Sequence, residues 1–410
     1  MQNTPKGLRL HIGIFGRRNA GKSSLLNILT GQSVSIVSDF AGTTTDPVEK
    51  PMELLPLGPV LFIDTAGIDD TGALGEKRIE KSLQAIKRTD VAIIVTEAGG
   101  WGSFEIELAE KFKALEIPVI IAVNKSDIKQ PQNTELEELK SHCEKICVIS
   151  ASENKGITEL RKAIIDTAPE EFFKSPAIVS DLVKPGGAAM LVVPIDKEAP
   201  KGRLILPQVQ TIRDLLDGDA AAIVCKEREL RSMLDKLGFR PDIVVTDSQA
   251  FLKVAADTPN DIPMTSFSIL FARLKANLVE MVRGAMVIED LMPGDKVLIC
   301  ESCTHHPITE DIGTVKIPRW LNQFVGGKLQ IEHRRGADWP DDLATYKLII
   351  HCGGCMWNRR QMLSRTMEAK AAGVAMTNYG LTIAYTLGIF ERALRPFPAA
   401  WQVYEESKKS

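Results

Sequence analysis

The 410-residue sequence has no excess of either charge, no long apolar run and few cysteines, and each shortage removes a class of protein. Lys+Arg 50 stand against Asp+Glu 53, a net charge of −3, and no basic run exceeds a few residues, which argues against nucleic acid as the main partner. Met1 to Leu10 holds no long apolar segment, so a secretory leader is not expected. The most apolar late stretch, Val374 to Phe390, is interrupted by Thr377, Asn378, Thr382 and Thr386, so a membrane span is not expected either. Seven cysteines outside a secretory context read as thiols or metal ligands in a reducing cytoplasm, not as a disulfide framework. There is no internal repeat and no low-complexity segment. Hydrophobic residues make up 44%, enough to give each of two or three domains a core.

Against that plain background the first third is dense with chemistry. Gly16-Arg17-Arg18-Asn19-Ala20-Gly21-Lys22-Ser23 follows the apolar run Leu8 to Phe15 and precedes the helical segment Ser24 to Leu29. A glycine loop between strand and helix lets backbone N–H groups and the helix N-terminus face phosphates. Lys22 then reaches the β and γ oxygens, and the Ser23 hydroxyl ligates magnesium. Asp64-Thr65-Ala66-Gly67 closes the run Val60 to Ile63, placing the Asp64 carboxylate in the magnesium shell and the Gly67 N–H beside the γ-phosphate. Asn124-Lys125-Ser126-Asp127 closes Val119 to Val123. The Asp127 carboxylate accepts from the N1 and N2 edge of guanine, an edge adenine lacks, while Asn124 and the Lys125 stem brace the base. Ser150-Ala151-Ser152, after Ile146 to Ile149, offers a backbone N–H to guanine O6. Four boxes in this order, each at a strand end, specify GTP over ATP.

Gly42-Thr43-Thr44-Thr45-Asp46 occupies the position of a switch loop. By resemblance to the tRNA-modification and Era type of GTPase, whose loops read Gly-Thr-Thr, Thr44 is the residue expected to cover magnesium and the γ-phosphate. After Gly67 comes Ile68, where small signalling GTPases place the glutamine that orients the attacking water, so intrinsic hydrolysis should be slow. Asn19 matches the asparagine that helps bind potassium in the tRNA-modification GTPases, and is equally a turn residue.

Punctuation divides the chain. Residues 1–168 form the expected GTP-binding domain, closed by a helix over Gly156 to Asp166, and 169–182 a linker. Residues 183–266 alternate strand (Met190 to Ile195), helix (Gln208 to Leu216), strand (Ala220 to Cys225), helix (Glu227 to Leu237), strand (Asp242 to Thr246) and helix (Ser248 to Ala256). This small α/β unit carries no catalytic motif and suits dimerisation, or a plain spacer. Residues 267–410 form a third unit. The fold class is α/β: a P-loop GTPase domain followed by two further α/β domains.

That third unit carries Cys303-Thr304-His305 after a strand from Lys296 to Cys300, and His351-Cys352-Gly353-Gly354-Cys355 after a strand from Tyr346 to Ile350. Two strand exits can converge on one cleft, and glycines between cysteines three apart let both thiolates turn toward one ion or cluster. Cys300 and Cys303 also spell Cys-x-x-Cys, which with Cys352 and Cys355 would give four thiolates for structural zinc. Alternation puts Cys300 on the face of Leu298, as a small buried hydrophobe. Three thiolates with an open fourth position suit a 4Fe-4S cluster.

A GTPase head, a motif-free middle and a tail with Cys-x-His followed by His-Cys-x-x-Cys resembles the FeFe-hydrogenase maturation GTPase family over essentially the whole chain. The resemblance implies a cytoplasmic homodimeric scaffold. It would hold a 4Fe-4S cluster on Cys303, Cys352 and Cys355, receive a diiron precursor made with two radical S-adenosylmethionine maturases, and deliver it to apo FeFe-hydrogenase. His305 and His351 are then candidates for the fourth iron ligand, with Glu310 or solvent in competition. Two other classes fit some features: a zinc-binding regulatory GTPase acting on RNA or the ribosome, which lacks a basic domain here, and a GTP-gated iron–sulfur redox enzyme, which lacks a flavin motif.

Overall fold

The computed structural model describes residues 5–31, 47–55, 57–65, 84–172, 176–194, 204–302 and 311–409. The chain divides into two compact units, Met1–Ser175 and Pro176–Ser410. In the first, strands β1 (Leu10–Phe15), β2 (Val48–Leu54), β3 (Gly58–Asp64), β4 (Val91–Glu97), β5 (Val119–Asn124) and β6 (Ile146–Val148) form one sheet in the order β2-β3-β1-β4-β5-β6. Only β2 runs antiparallel, at an edge where Pro51 is tolerated. The parallel strands read as near-continuous apolar runs because helices cover both faces, so every side chain of β1 is buried. The chain leaves β1 toward β3 on one side and β4 on the other. Such a reversal opens a crevice at the carboxyl ends of the strands, where α/β sheets bind ligands.

In the second unit β7 (Ala188–Val192), β8 (Ala221–Cys225), β9 (Ile243–Thr246) and β10 (Met264–Ser266) form a parallel sheet ordered β10-β9-β7-β8. The strands β11 (Lys296–Glu301), β12 (Gln330–Arg335), β13 (Leu348–His351) and β14 (Ala375–Asn378) form another, ordered β12-β11-β13-β14. The two sheets belong to one compact unit, to which 183–266 and 267–410 contribute one sheet each. Ser266 ends β10 and at once caps the helix Phe267–Lys275, its hydroxyl accepting from the Ile269 N–H. That helix and its successor, Leu278–Met286, belong to a core that runs without interruption from Ile178 to Ala400. Two sheets share one apolar interior, so the change from a motif-free to a cysteine-bearing sequence marks no break in packing.

Candidate functional site

The P-loop sits where the sequence puts it, between β1 and the helix Lys22–Thr30. Gly16, Asn19 and Gly21 take φ of 144°, 62° and 91°, the conformations that curl a loop around an anion. At Gly21 glycine is required twice over, because a Cβ there would lie 2.2 Å from the Asn124 amide nitrogen. Asparagine tolerates the left-handed region better than other non-glycine residues, so Asn19 has a backbone reason for its place whether or not it meets an ion. The Lys22 ammonium donates to the carbonyls of Gly16 (2.9 Å) and Arg17 (2.6 Å), which holds it over the loop. The Ser23 hydroxyl donates to Asp64 Oδ2 at 2.6 Å, and the Thr65 hydroxyl pins the end of β3 to the Ile14 carbonyl at 2.7 Å. Asp64 Oδ1 is buried without a hydrogen-bond partner, and burial raises this carboxyl above its usual range. A buried carboxylate oxygen facing no donor, beside a serine hydroxyl, is a donor set that fits a hard divalent cation. Thr44 and Gly67 lie outside the described residues.

On the base side one side chain ties three boxes together. Asn124, buried at the end of β5, donates to the Ala20 carbonyl and accepts from the Ala151 N–H, both at 3.0 Å. Within the Ser150-Ala151-Ser152 box the Ala151 N–H therefore already serves Asn124. The Ser150 N–H bonds the Lys155 carbonyl at 3.0 Å. Asp127 accepts from the Ser150 hydroxyl at 2.6 Å and the Ser152 hydroxyl at 3.1 Å, and the first of these does most to hold its carboxyl below the ordinary range. The exposed carboxylate is thus ionised and oriented. Lys125, at φ 59°, pairs with Glu97 at 2.5 Å, which fixes its stem. Ser24, Asn27, Ala151, Ser152 and Arg161 line a cavity of about 690 Å³ beside the P-loop helix.

In the second unit β11 and β13 are parallel neighbours with Cys300 opposite His351, so both cysteine loops leave the same end of one sheet. Cys300 is fully buried, its thiol pushed up to about 12 by burial. The Cys352 N–H donates to the Cys300 carbonyl at 2.9 Å, and Cys352 Sγ lies 3.2 Å from both the N–H and the hydroxyl of Ser302. Gly354, at φ 63°, turns the chain toward Cys355, whose thiol burial raises to about 11. Cys303, the residue after Ser302, lies outside the described residues, as do His305 and Glu310. Among the described residues no group of three or more His, Cys, Asp and Glu is placed to hold a metal ion.

His351, a candidate for the fourth iron ligand, has both ring nitrogens hydrogen-bonded. Its ring is fully buried, with Nε2 3.0 Å from Arg365 Nη1 and Nδ1 2.9 Å from the Cys352 carbonyl. Arginine can only donate, so Nε2 accepts and the proton sits on Nδ1. Both nitrogens are committed, and burial lowers the ring's pKa to about 3. Arg365 was not legible in sequence, nor were Trp339 and Trp357, whose ring centroids lie 4.4 Å and 4.2 Å from its guanidinium carbon. Nor was the Arg17–Glu105 pair, which ties the P-loop to the helix Ser103–Ala114 at 2.8 Å. Glu301 at the end of β11, bound by Arg335 and Tyr379 at 3.2 Å each, was missed too.

Residues 11–125 match a family described as 50S ribosome-binding GTPase. Residues 178–276 match the hydrogen maturase F dimerization domain and 279–396 its tetramerization domain, together more than half of the chain. GTPase Der of Wolinella succinogenes is 32% identical over 175 residues, covering 40% of this chain and 37% of that protein. The tRNA modification GTPase MnmE of Clostridioides difficile is 39% identical over 155 residues, covering 37% and 33%. The chain thus spans about a third of the length of these curated relatives. A crystal structure of Aquifex aeolicus Era is 22% identical, covers 61% of this chain and 99% of that one, and superposes with a TM-score of 0.36. Among the described residues no helix is long and apolar enough to cross a membrane. A P-loop GTPase domain followed by dimerization and tetramerization domains of one kind leaves a single assignment: the chain belongs to the hydrogen maturase F family.

Proposed function

We propose that the protein is a GTP-hydrolysing scaffold of FeFe-hydrogenase maturation. In this reading the first unit turns over GTP with magnesium, and the second holds a 4Fe-4S cluster on Cys303, Cys352 and Cys355. The cargo is a diiron precursor received from radical S-adenosylmethionine maturases and handed to apo FeFe-hydrogenase by an oligomer, a homodimer at least, in the cytoplasm. The observation that carries the reading is the succession of the three matched domains on one chain. The donor chemistry fits as well. Cys352 Sγ lies 3.2 Å from the N–H and from the hydroxyl of Ser302, and thiolates are strong ligands for iron–sulfur iron. A bound cluster would supply redox-active iron with one exchangeable position. The protein's own part is to present thiolates from two adjacent strand ends and to exclude bulk water with the buried shell of His351, Arg365 and Tyr379.

In the first unit Lys22 clamps the β and γ phosphates, Ser23 and Asp64 hold magnesium, and Asp127 reads the guanine edge while Asn124 fixes the loops around it. Thr44 and Gly67 complete the γ-phosphate end, and Asn19 is the residue that would meet potassium. With His351 committed to Arg365 and the Cys352 carbonyl, His305, Glu310 or solvent better suits the fourth iron position.

Iron analysis and a visible spectrum of anaerobically purified protein test the reading. Iron near four atoms per chain with a broad visible band is expected, both lost in Cys352→Ser. A colourless protein with one tightly bound zinc per chain would sink it, and so would a Cys352→Ser protein that keeps a normal cluster and still activates apo-hydrogenase.

A further inference from the structure

A buried guanidinium is costly unless an anion answers its charge. Arg365 is 6% exposed on the helix Arg359–Ala371, yet among the described residues no carboxylate oxygen lies within ion-pair distance of it. Its hydrogen bonds go to neutral acceptors: His351 Nε2 at 3.0 Å, the Gly336 carbonyl at 2.9 Å and the Asp338 carbonyl at 3.1 Å. The two nearby carboxylates have partners of their own, since Asp338 faces Arg334 at 3.7 Å and Glu368 accepts from the Ser364 hydroxyl at 3.1 Å. The capping box of Asn358 and Gln361 fixes where the helix begins and so where Arg365 projects. Trp339 and Trp357 lie against the guanidinium, holding it still while adding only partial negative character. Beyond His351 the next polar group is the backbone carbonyl of Cys352, reached through the Nδ1 proton.

We propose that Arg365 is the counter-charge of the cysteine site: it raises the reduction potential of the cluster held at Cys352 and, through His351, fixes the backbone of that cysteine. The proposal rests on the cluster reading above. In that reading three thiolates bring negative charge to the cluster, and one further electron makes it more negative. A fixed cation in a low-dielectric shell favours the reduced form, and its removal favours the oxidised one. Arg365 is a positioning and electrostatic residue here, since His351 stands between it and the ligand loop.

The test compares wild type, Arg365→Gln and Arg365→Lys as full-length proteins reconstituted anaerobically with iron and sulfide. The readouts are iron content and the midpoint potential from a mediated one-electron titration. Arg365→Gln should keep iron but reduce only at lower potential. The expected change is at least a tenfold fall in the reduced-to-oxidised ratio at fixed poise, about 59 mV for a one-electron couple. Arg365→Lys, which keeps the charge and loses the planar fork, should stay near wild type. Loss of iron from the glutamine variant alone would also support a counter-charge. Equal potentials in all three proteins would overturn the proposal. So would equal shifts, or equal loss of iron, in both variants, because geometry and not charge would then be the cause. A wild type that binds no iron–sulfur cluster would instead refute the reading on which the proposal stands.

Discussion

Asn124→Ala should unfold the GTPase unit earlier by an amount the structure lets us work out. The side chain is 2% exposed and makes two hydrogen bonds of 3.0 Å, one to the P-loop at Ala20 and one to the loop carrying Ala151. Alanine leaves a buried carbonyl and a buried N–H without partners, at about 1–3 kcal/mol each. Water reaching the space left behind recovers part of that, so we take a loss of about 3 kcal/mol. For a domain of this size each kcal/mol moves the melting temperature by about 2–4 °C, giving a fall of about 6–12 °C. Calorimetry of the full-length protein should place that fall in one transition, since the two units have separate cores. Asn124→Asp keeps the acceptor for Ala151 but sets a carboxylate oxygen against the Ala20 carbonyl, and should be at least as damaging. Gln130→Ala, which removes one bond to the Ser126 carbonyl at an exposed position, should cost under about 0.5 kcal/mol. An Asn124→Ala protein melting within about 2 °C of wild type would refute the idea that this residue braces the nucleotide loops.

Three other outcomes are expected of the first unit. Asp127→Asn replaces an acceptor pair with one acceptor and one donor, so GTP affinity should fall by roughly a hundredfold or more while xanthosine triphosphate binding improves; unchanged preference in a competition assay counts against the base assignment. Hydrolysis should run faster in potassium than in sodium at equal ionic strength, and equal rates would leave Asn19 with its turn role alone. Because burial raises the Asp64 carboxyl, its folded-state pKa lies above that of the unfolded chain, so the ionised group is a burden on the fold at neutral pH that protonation relieves as pH falls. Magnesium-dependent nucleotide binding should therefore weaken at a higher pH than an ordinary aspartate would dictate, whereas Asp64→Asn should melt later than wild type yet lose magnesium affinity; a less stable Asp64→Asn protein contradicts the sign.

The nucleotide site was legible because its residues act within a few positions of a strand end: Gly16 to Ser23, Asp64, Asn124 and Ser150 are local signals read in chain order. The exits at Ser302 and His351 were legible for the same reason. Arg365 was not, since one arginine in a polar helix looks the same whether it faces solvent or a histidine fourteen residues earlier. Glu105 is similar, a carboxylate that becomes a P-loop brace only once helix and loop meet. The core that the two sheets of the second unit share has no such local signal: Ser266 ends a strand and at once begins a helix, and such junctions occur inside domains as readily as between them.

The pairing of β11 with β13 has an evolutionary corollary. The two strand exits, at Ser302 and His351, are held side by side by inter-strand hydrogen bonding, about 4.8 Å from strand to strand, and not by the length of polypeptide joining them. Everything from the turn at Ile312 through the helix Ile317–Val325, strand β12 and the bend at Gly336 is a detour that leaves and re-enters the same sheet. Insertions or deletions there can accumulate while both thiol-bearing exits stay in register. Spacing along the gene is then a poor guide to whether a distant homologue keeps the paired strand exits, and the residues flanking those exits are a better one.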